Sequence, residues 1–158
     1  VDEERASYVD DFGMMFEGFG LQRMVGRSLG ALLVSGESEL SAEELAEALQ
    51  ASRGSISSAT KTLTQMGLVQ RYTRRGERRD YFRVKPGAWE EMMRRELDSL
   101  AAFRRIAERG LAMTGSDERE TREKLEEMRD FFSYLEHEYP AIIERWEEAK
   151  GREQTWSR

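Results

Sequence analysis

Cysteine is absent from this 158-residue chain, and histidine occurs once, at His137. The first absence excludes disulfides, thiolate metal sites and thiol-based sensing of oxidants. The second excludes a histidine-rich metal cluster and leaves no imidazole to spare for a catalytic triad. Only two prolines occur, Pro86 and Pro140, so little interrupts helices. The longest apolar run, Leu29 to Val34, contains Gly30 and is far too short to span a bilayer. The chain starts Val1-Asp2-Glu3-Glu4, acidic where a secretion signal would be basic, which points to the cytoplasm and away from a membrane. No cofactor is expected. The hydrophobic share of 39% is low against the usual ~45–50%, a range that also counts glycine, and the charged share of 35% is high against ~25%. Such a chain builds a modest core and suits long amphipathic helices that share apolar faces with a partner.

The net charge of −6 hides a division. Residues 1–49 carry 3 basic and 11 acidic side chains, residues 50–85 carry 9 and 2, and residues 86–158 carry 13 and 18. A concentrated basic middle, +7 over 36 residues, lies between acidic arms. Such a block fits an electrostatic footprint for a polyanion, although blocks of one sign also occur as plain solvated surface.

The apolar periodicity places helices on either side of that block. Tyr8, Val9, Phe12, Met15, Phe16 and Phe19 form one stripe, broken by Gly20. Leu21, Met24, Val25, Ser28, Leu29, Leu32 and Leu33 form a second, ending near Ser35-Gly36. The polar segment Glu37-Ser38-Glu39 reads as a loop. Ser41-Ala42-Glu43-Glu44 is a capping box for a short helix with Leu45, Ala46 and Leu49 inward. Ser52 reads as the N-cap of the next helix, whose buried positions are Ile56, Ala59, Leu63 and Met66, with Gly67 as the left-handed residue after its end.

The period then changes. Leu68–Tyr72 and Arg79–Val84 read as the two strands of a hairpin around Gly76. A long helix follows, with Trp89, Met93, Leu97, Leu100, Phe103, Ala107 and Leu111 on one face. Ser116 or Thr121 can cap the last helix, where Leu125, Met128, Phe132, Leu135, Tyr139, Ile142 and Trp146 recur in a heptad seam that contains Pro140. Phe131 and Ile143 widen that seam. The tail after Gly151 is polar and reads as frayed.

The fold expected is mainly α with a small β-hairpin wing: a winged helix-turn-helix flanked by N- and C-terminal dimerisation helices. Residues 1–20 form the N-terminal dimerisation helix, 21–86 the DNA-binding domain, 87–150 the C-terminal dimerisation helices and 151–158 a polar tail. The second helix of the motif fits a major groove about 12 Å wide. Its outer face offers Ser52, Arg53, Gly54, Ser55, Ser57, Ser58, Lys61 and Thr62. Gly54 reads either as a loose first turn or as a place where backbone and phosphate meet. The hairpin tip carries Arg74, Arg75, Arg78 and Arg79, a density that favours DNA contact over simple edge protection. Glu77 and Asp80 are expected to pair with and orient neighbouring arginines rather than do chemistry. Phe12, Phe16, Phe132, Leu135, Tyr139, Ile142 and Trp146 are the candidates for dimerisation, divided between self and partner. Met24, Met92 and Met93 are candidates for an adaptable hydrophobic cavity.

Residues 40–85, from Leu-Ser-Ala-Glu-Glu-Leu-Ala-Glu-Ala-Leu-Gln-Ala-Ser-Arg-Gly-Ser-Ile-Ser through Gly-Glu-Arg-Arg-Asp-Tyr-Phe-Arg-Val-Lys, resemble the MarR superfamily of bacterial winged helix-turn-helix regulators. The resemblance is closest to the GbsR-like branch and to actinobacterial regulators of membrane lipid and drug exporters. It extends to the flanking helices and so covers nearly the whole chain. It implies a triangular homodimer, a pseudopalindromic operator in double-stranded DNA, and release by a small ligand, which without cysteine or histidine is expected to be lipophilic. Many members carry Asp-x-Arg in a longer wing, where this chain has Gly76-Glu77-Arg78-Arg79-Asp80. A dimer would set two recognition helices about 34 Å apart, one turn of DNA.

Two other function classes stand beside a ligand-released repressor of transport, efflux or stress genes. One is a winged helix used as a protein-interaction or structural module. The other is an enzyme, for which no nucleophile–base–orienter set or phosphate loop appears. The acidic pairs Glu126-Glu127 and Glu147-Glu148 are adjacent in sequence and diverge around a helix.

Overall fold

The structure is a computed structural model that describes residues 3–156. Its elements run α1 (Glu3–Gly18), α2 (Arg23–Val34), β1 (Leu40–Ser41), α3 (Ala42–Leu49), α4 (Arg53–Gln65), β2 (Val69–Thr73), β3 (Asp80–Val84), α5 (Ala88–Met113) and α6 (Arg119–Trp156). They fall into two compact units, one ending at Glu91 and one beginning at Met92.

In the first unit the helix-turn-helix is fixed by its caps. Ser41 Oγ accepts from the Glu44 N–H at 3.2 Å, and the Glu44 carboxylate accepts from the Ser41 N–H at 2.6 Å. The bond from the Ser41 backbone, then that from its side chain, holds the Glu44 carboxyl below its ordinary pKa. A depressed folded-state pKa means that the cap's contribution is fully present above the ordinary carboxylate value and is lost as pH falls through the lowered one. After α3 the chain turns on Gln50, which takes the left-handed conformation (φ 49°), and the Ala51 N–H bonds back to Ala46 O at 2.9 Å. Ser52 Oγ then caps α4 by accepting from the Ser55 N–H at 3.1 Å.

Leu29, Leu45, Ile56, Leu63 and Leu68 are fully buried where α2, α3, α4 and the approach to β2 meet. Each such side chain contributes about 1.5–3 kcal/mol of burial energy. Met66 is only half-buried, whereas Thr60 is buried and bonds Ile56 O through its hydroxyl at 2.8 Å.

The wing is larger than a hairpin. Leu40 and Ser41 form a third strand, so the antiparallel sheet has the order β1-β3-β2, with Leu40 opposite Phe82 and Ser41 opposite Tyr81. The loop expected before α3 therefore ends in strand pairing. Two residues are too few to show a period of two, and Ser41 was already accounted for as a cap.

Helix α1 lies along α2 in the same unit as the helix-turn-helix, not as a segment apart. The contact is close because α2 carries glycines there. A Cβ on Gly26 would lie 2.2 Å from Phe12 O and 2.9 Å from Phe16 Cβ. Phe16 is buried and Phe12 half-buried, so the core of this unit takes most of the Phe16 ring, and Phe19, just past the end of α1, is 72% exposed.

The second unit is an antiparallel helix pair. Gly110 of α5 faces Leu125 of α6, with an added Cβ 3.0 Å from its methyl groups. Phe103 stacks on Phe132 at 4.5 Å, Arg104 pairs with Glu136, and Arg94 pairs with Glu147. These pairs run in opposite directions along the two helices. The inward seam passes through half-buried Phe132, Leu135 and Tyr139 to buried Ile143. Ile142 and Trp146, expected in that seam, are instead exposed together with Phe131 and Tyr134. The cause is that strict heptads drift against a straight helix of 3.6 residues per turn. Helix α6 starts at Arg119, so neither Ser116 nor Thr121 occupies its N-cap. It runs through Pro140 and on past Gly151 to Trp156, further than the frayed tail expected. Residues 157–158 of that tail lie outside the described residues.

Candidate nucleic-acid interface

The basic block of the sequence becomes one surface of the first unit. On α4 the buried set Ile56, Ala59, Thr60 and Leu63 turns the other side outward. Arg53, Gly54, Ser57, Ser58 and Lys61 are exposed, and Ser55 and Thr62 are partly so. The Ser52 hydroxyl is engaged in capping. Thr62 bonds back to Ser58 O at 3.1 Å, which draws its hydroxyl towards the helix. An added Cβ on Gly54 would approach nothing closer than Ser52 Oγ at 4.0 Å. No crowding within the first unit therefore calls for glycine at this position.

The four wing arginines divide into two kinds. Arg74 pairs with Glu39, whose side chain is only 15% exposed, and its guanidinium lies 4.0 Å from the Tyr81 ring centroid. The bond to Glu39 raises the pKa of Arg74. Arg79 lies 3.6 Å from Glu43. Arg75 and Arg78 are exposed and, among the described residues, make no ion pair or side-chain hydrogen bond. Arg74 is thus a strut between wing and loop, and among the described residues Arg75 and Arg78 are cations at the tip without an ion partner.

Of the two acidic neighbours, one behaves as expected and one does not. Asp80 pairs with Arg71 at 2.9 Å, as an orienting carboxylate would. Glu77 accepts from the Tyr81 hydroxyl rather than from an arginine, and that bond raises the tyrosine pKa. The carboxylates that do hold wing arginines are Glu39 and Glu43, thirty-five or more residues away in sequence. Nothing local in the sequence pairs them.

Between α4 and the strands lies a cleft of ≈ 350 Å³, of mixed character, whose lining includes Phe82 and the charged Arg53, Lys61, Arg71 and Asp80. Beside it a smaller cleft of ≈ 190 Å³ is lined in part by Arg53, Arg78 and Arg79. Two shallow clefts bordered by guanidinium and ammonium groups, next to the N-terminus of α4, can receive phosphates of one strand.

Of the methionines expected to line an adaptable cavity, Met24 belongs to the first unit and Met92 and Met93 to the second. A cleft of ≈ 270 Å³, mostly apolar, sits among α1, α2, β1 and α3, with Val9, Ala31, Val34, Leu40 and Leu49 in its wall and Arg27 and Asp10 paired at 2.9 Å beside them. Neither Met24, Met92 nor Met93 lines it. Its wall is built of alanine, valine and leucine, which in sequence look like ordinary core.

Comparison with known proteins agrees with this arrangement. The MarR family profile matches residues 19–80, which hold α2 to the wing. A profile described as MmpR5-like MarR family transcriptional regulator matches residues 87–149, which hold most of α5 and α6. The chain is 36% identical to the HTH-type transcriptional regulator MmpR5 of Mycobacterium tuberculosis over 92% of its own length and 88% of that protein. It superposes on the crystal structure of a transcriptional regulator with a TM-score of 0.83 and 35% identity, covering 92% of this chain and 99% of that one. Among the described residues no helix is long and apolar enough to cross a membrane. The chain belongs to the MarR family of winged helix-turn-helix, DNA-binding transcriptional regulators, whose members are not enzymes.

Proposed function

We propose that the chain binds a pseudopalindromic operator as a homodimer and represses transport, efflux or stress genes until a lipophilic ligand releases it. The observation that carries the DNA contact is the outer face of α4, small and hydroxylated, with Arg53 at its start, Lys61 two turns on, and Arg75 and Arg78, without ion partners among the described residues, at the wing tip. In this reading Ser55, Ser57, Ser58 and Lys61 meet the major groove, and the backbone at Ser52–Gly54 meets a phosphate. Arg75 and Arg78, with Arg79 behind them, enter the adjoining minor groove or clamp its backbone.

Two exposed apolar patches support a dimer. In the first unit Met14 and Met15 are open on α1 and Phe19 just after it, and in the second Phe131, Tyr134, Ile142 and Trp146 form an outer stripe on α6. The apolar cleft among α1, α2, β1 and α3 is the place we assign to the effector, in place of the methionines.

Titration with a duplex selected on the protein tests the proposal. Affinity should fall by about 10³-fold or more between ~50 and ~200 mM salt if six or so phosphates are neutralised. A shallow dependence would rule against phosphate-driven binding. Gly54→Ala gives a sharper check, because fold and function should move in opposite directions. The added methyl group meets open space, so the melting temperature should hold or rise, helix propensity favouring alanine by up to about 1 kcal/mol. Duplex affinity should drop about tenfold, a loss of ~1.4 kcal/mol. Unchanged affinity would return Gly54 to a loose first turn.

A further inference from the structure

One carboxylate sits between the recognition helix and the wing. Glu43, in the first turn of α3, holds Arg53 of α4 at 3.1 Å through one oxygen and Arg79 at 3.6 Å through the other. The two guanidinium groups come from different elements, and their side chains are 84% and 61% exposed. Ion pairs this open to water contribute little to folding and exchange readily. The same groups border the smaller basic cleft, which Arg78 also lines without an ion partner among the described residues. An anion with two oxygens, bridging two guanidinium groups beside the N-terminus of a 13-residue helix, stands where a phosphate would stand.

We infer that Glu43 is an internal competitor for DNA phosphate: it occupies the position between Arg53 and Arg79 that a backbone phosphate takes, and so holds down affinity for DNA of arbitrary sequence. The inference rests on the reading above that the clefts lined by these arginines receive phosphates of the DNA backbone. On binding, the phosphate displaces the carboxylate or is repelled by it. Either way the sequence-independent part of the affinity is reduced, and more of the binding energy must come from base edges.

The test uses the full chain and a mixed-sequence duplex of about 30 base pairs, titrated across salt. Glu43→Gln keeps the shape and removes the charge. It should bind this duplex about tenfold more tightly at low salt, with the slope of log K against log salt steeper by ~0.9, one additional phosphate neutralised. Glu47→Gln is the control. It lies one turn further along α3, is exposed, makes no ion pair among the described residues and removes the same charge. It should change affinity by about threefold or less and leave the slope unaltered, because it alters the general field without freeing an arginine. If Glu43→Gln equals Glu47→Gln, the effect is general electrostatics and the inference fails. If Glu43→Gln binds more weakly, Glu43 instead orients the arginines for DNA, and the inference fails in the opposite direction. In both cases the assignment of Arg53 and Arg79 to phosphate survives. A wild-type protein without affinity for any duplex would overturn that assignment and this inference together.

Discussion

Reversing the two free arginines of the wing, Arg75→Glu with Arg78→Glu, is expected to lower duplex affinity about a hundredfold at ~100 mM salt and to flatten the salt slope by ~2. The size follows from what the side chains do in the free protein. Neither makes an ion pair or side-chain hydrogen bond among the described residues, so reversal removes no internal contact and should leave stability within about 0.5 kcal/mol. Two phosphate contacts are lost, and two like charges are placed against the backbone instead. The slope separates this from misfolding, because an unfolded fraction lowers the amplitude of binding without changing the salt dependence of the remainder. Arg74→Glu is the informative comparison. It breaks the pair with Glu39 and the contact with the Tyr81 ring, so it should lower the melting temperature as well as the affinity. If the double reversal leaves the slope unaltered, the wing is solvated surface and α4 acts alone.

The second large effect is on stability, at a residue remote from the basic surface. Gly26→Ala should destabilise the fold by about 3 kcal/mol and lower its melting temperature by roughly 6–12 °C. The clash is with backbone: the new Cβ would stand 2.2 Å from the Phe12 carbonyl oxygen and 2.7 Å from its carbon. A carbonyl within a helix cannot rotate away, so α1 must move off α2, and the seats of Phe12 and Phe16 loosen with it. Gly30→Ala meets Phe12 Cβ and Val9 Cα at 3.2 Å, a contact that a small shift relieves. Its cost should be under about 1.5 kcal/mol, close to that of a tolerated swap. Thermal unfolding of the two variants side by side decides the matter, and equal melting temperatures would mean that α1 adjusts freely along α2.

Much of this architecture was legible before any coordinates, and the reason is periodicity. The stripes along α1 to α4 are regular, the box Ser41–Glu44 and the cap Ser52 are short-range chemistry, and Tyr81-Phe82 with Val84 mark a pleated surface. The outer face of α4 follows from its inner face, so Arg53, Ser57, Ser58 and Lys61 emerge where helical geometry puts them. What escaped was non-local. Glu39 and Glu43 read as acids in a loop and a helix start, and only the folded chain carries them to Arg74, Arg53 and Arg79. Gly26 has no local signature in the sequence, and only the approach of α1 shows why the position is glycine. Thr60 is polar yet buried, because its hydroxyl finds Ile56 O inside its own helix. On α6 a seven-residue count favoured Ile142 where packing within the unit takes Ile143. The methionines attracted attention by their chemistry, while the cleft that exists is walled by valine, alanine and leucine.

Ser41 carries a consequence for how a signal can travel. Its backbone, at φ −72° and ψ 162°, satisfies a strand and a helix cap together, and its side chain is almost fully enclosed. One peptide therefore joins the root of the wing, through Tyr81, to the first turn of the helix that props α4. A push on either side of that joint is transmitted rather than absorbed, since the wing root cannot slide without uncapping α3. The cleft assigned to the effector has Leu40, the neighbouring residue, in its wall. Mechanical coupling from that wall to both the wing and the helix that props α4 needs no long relay, only the stiffness of a single dipeptide.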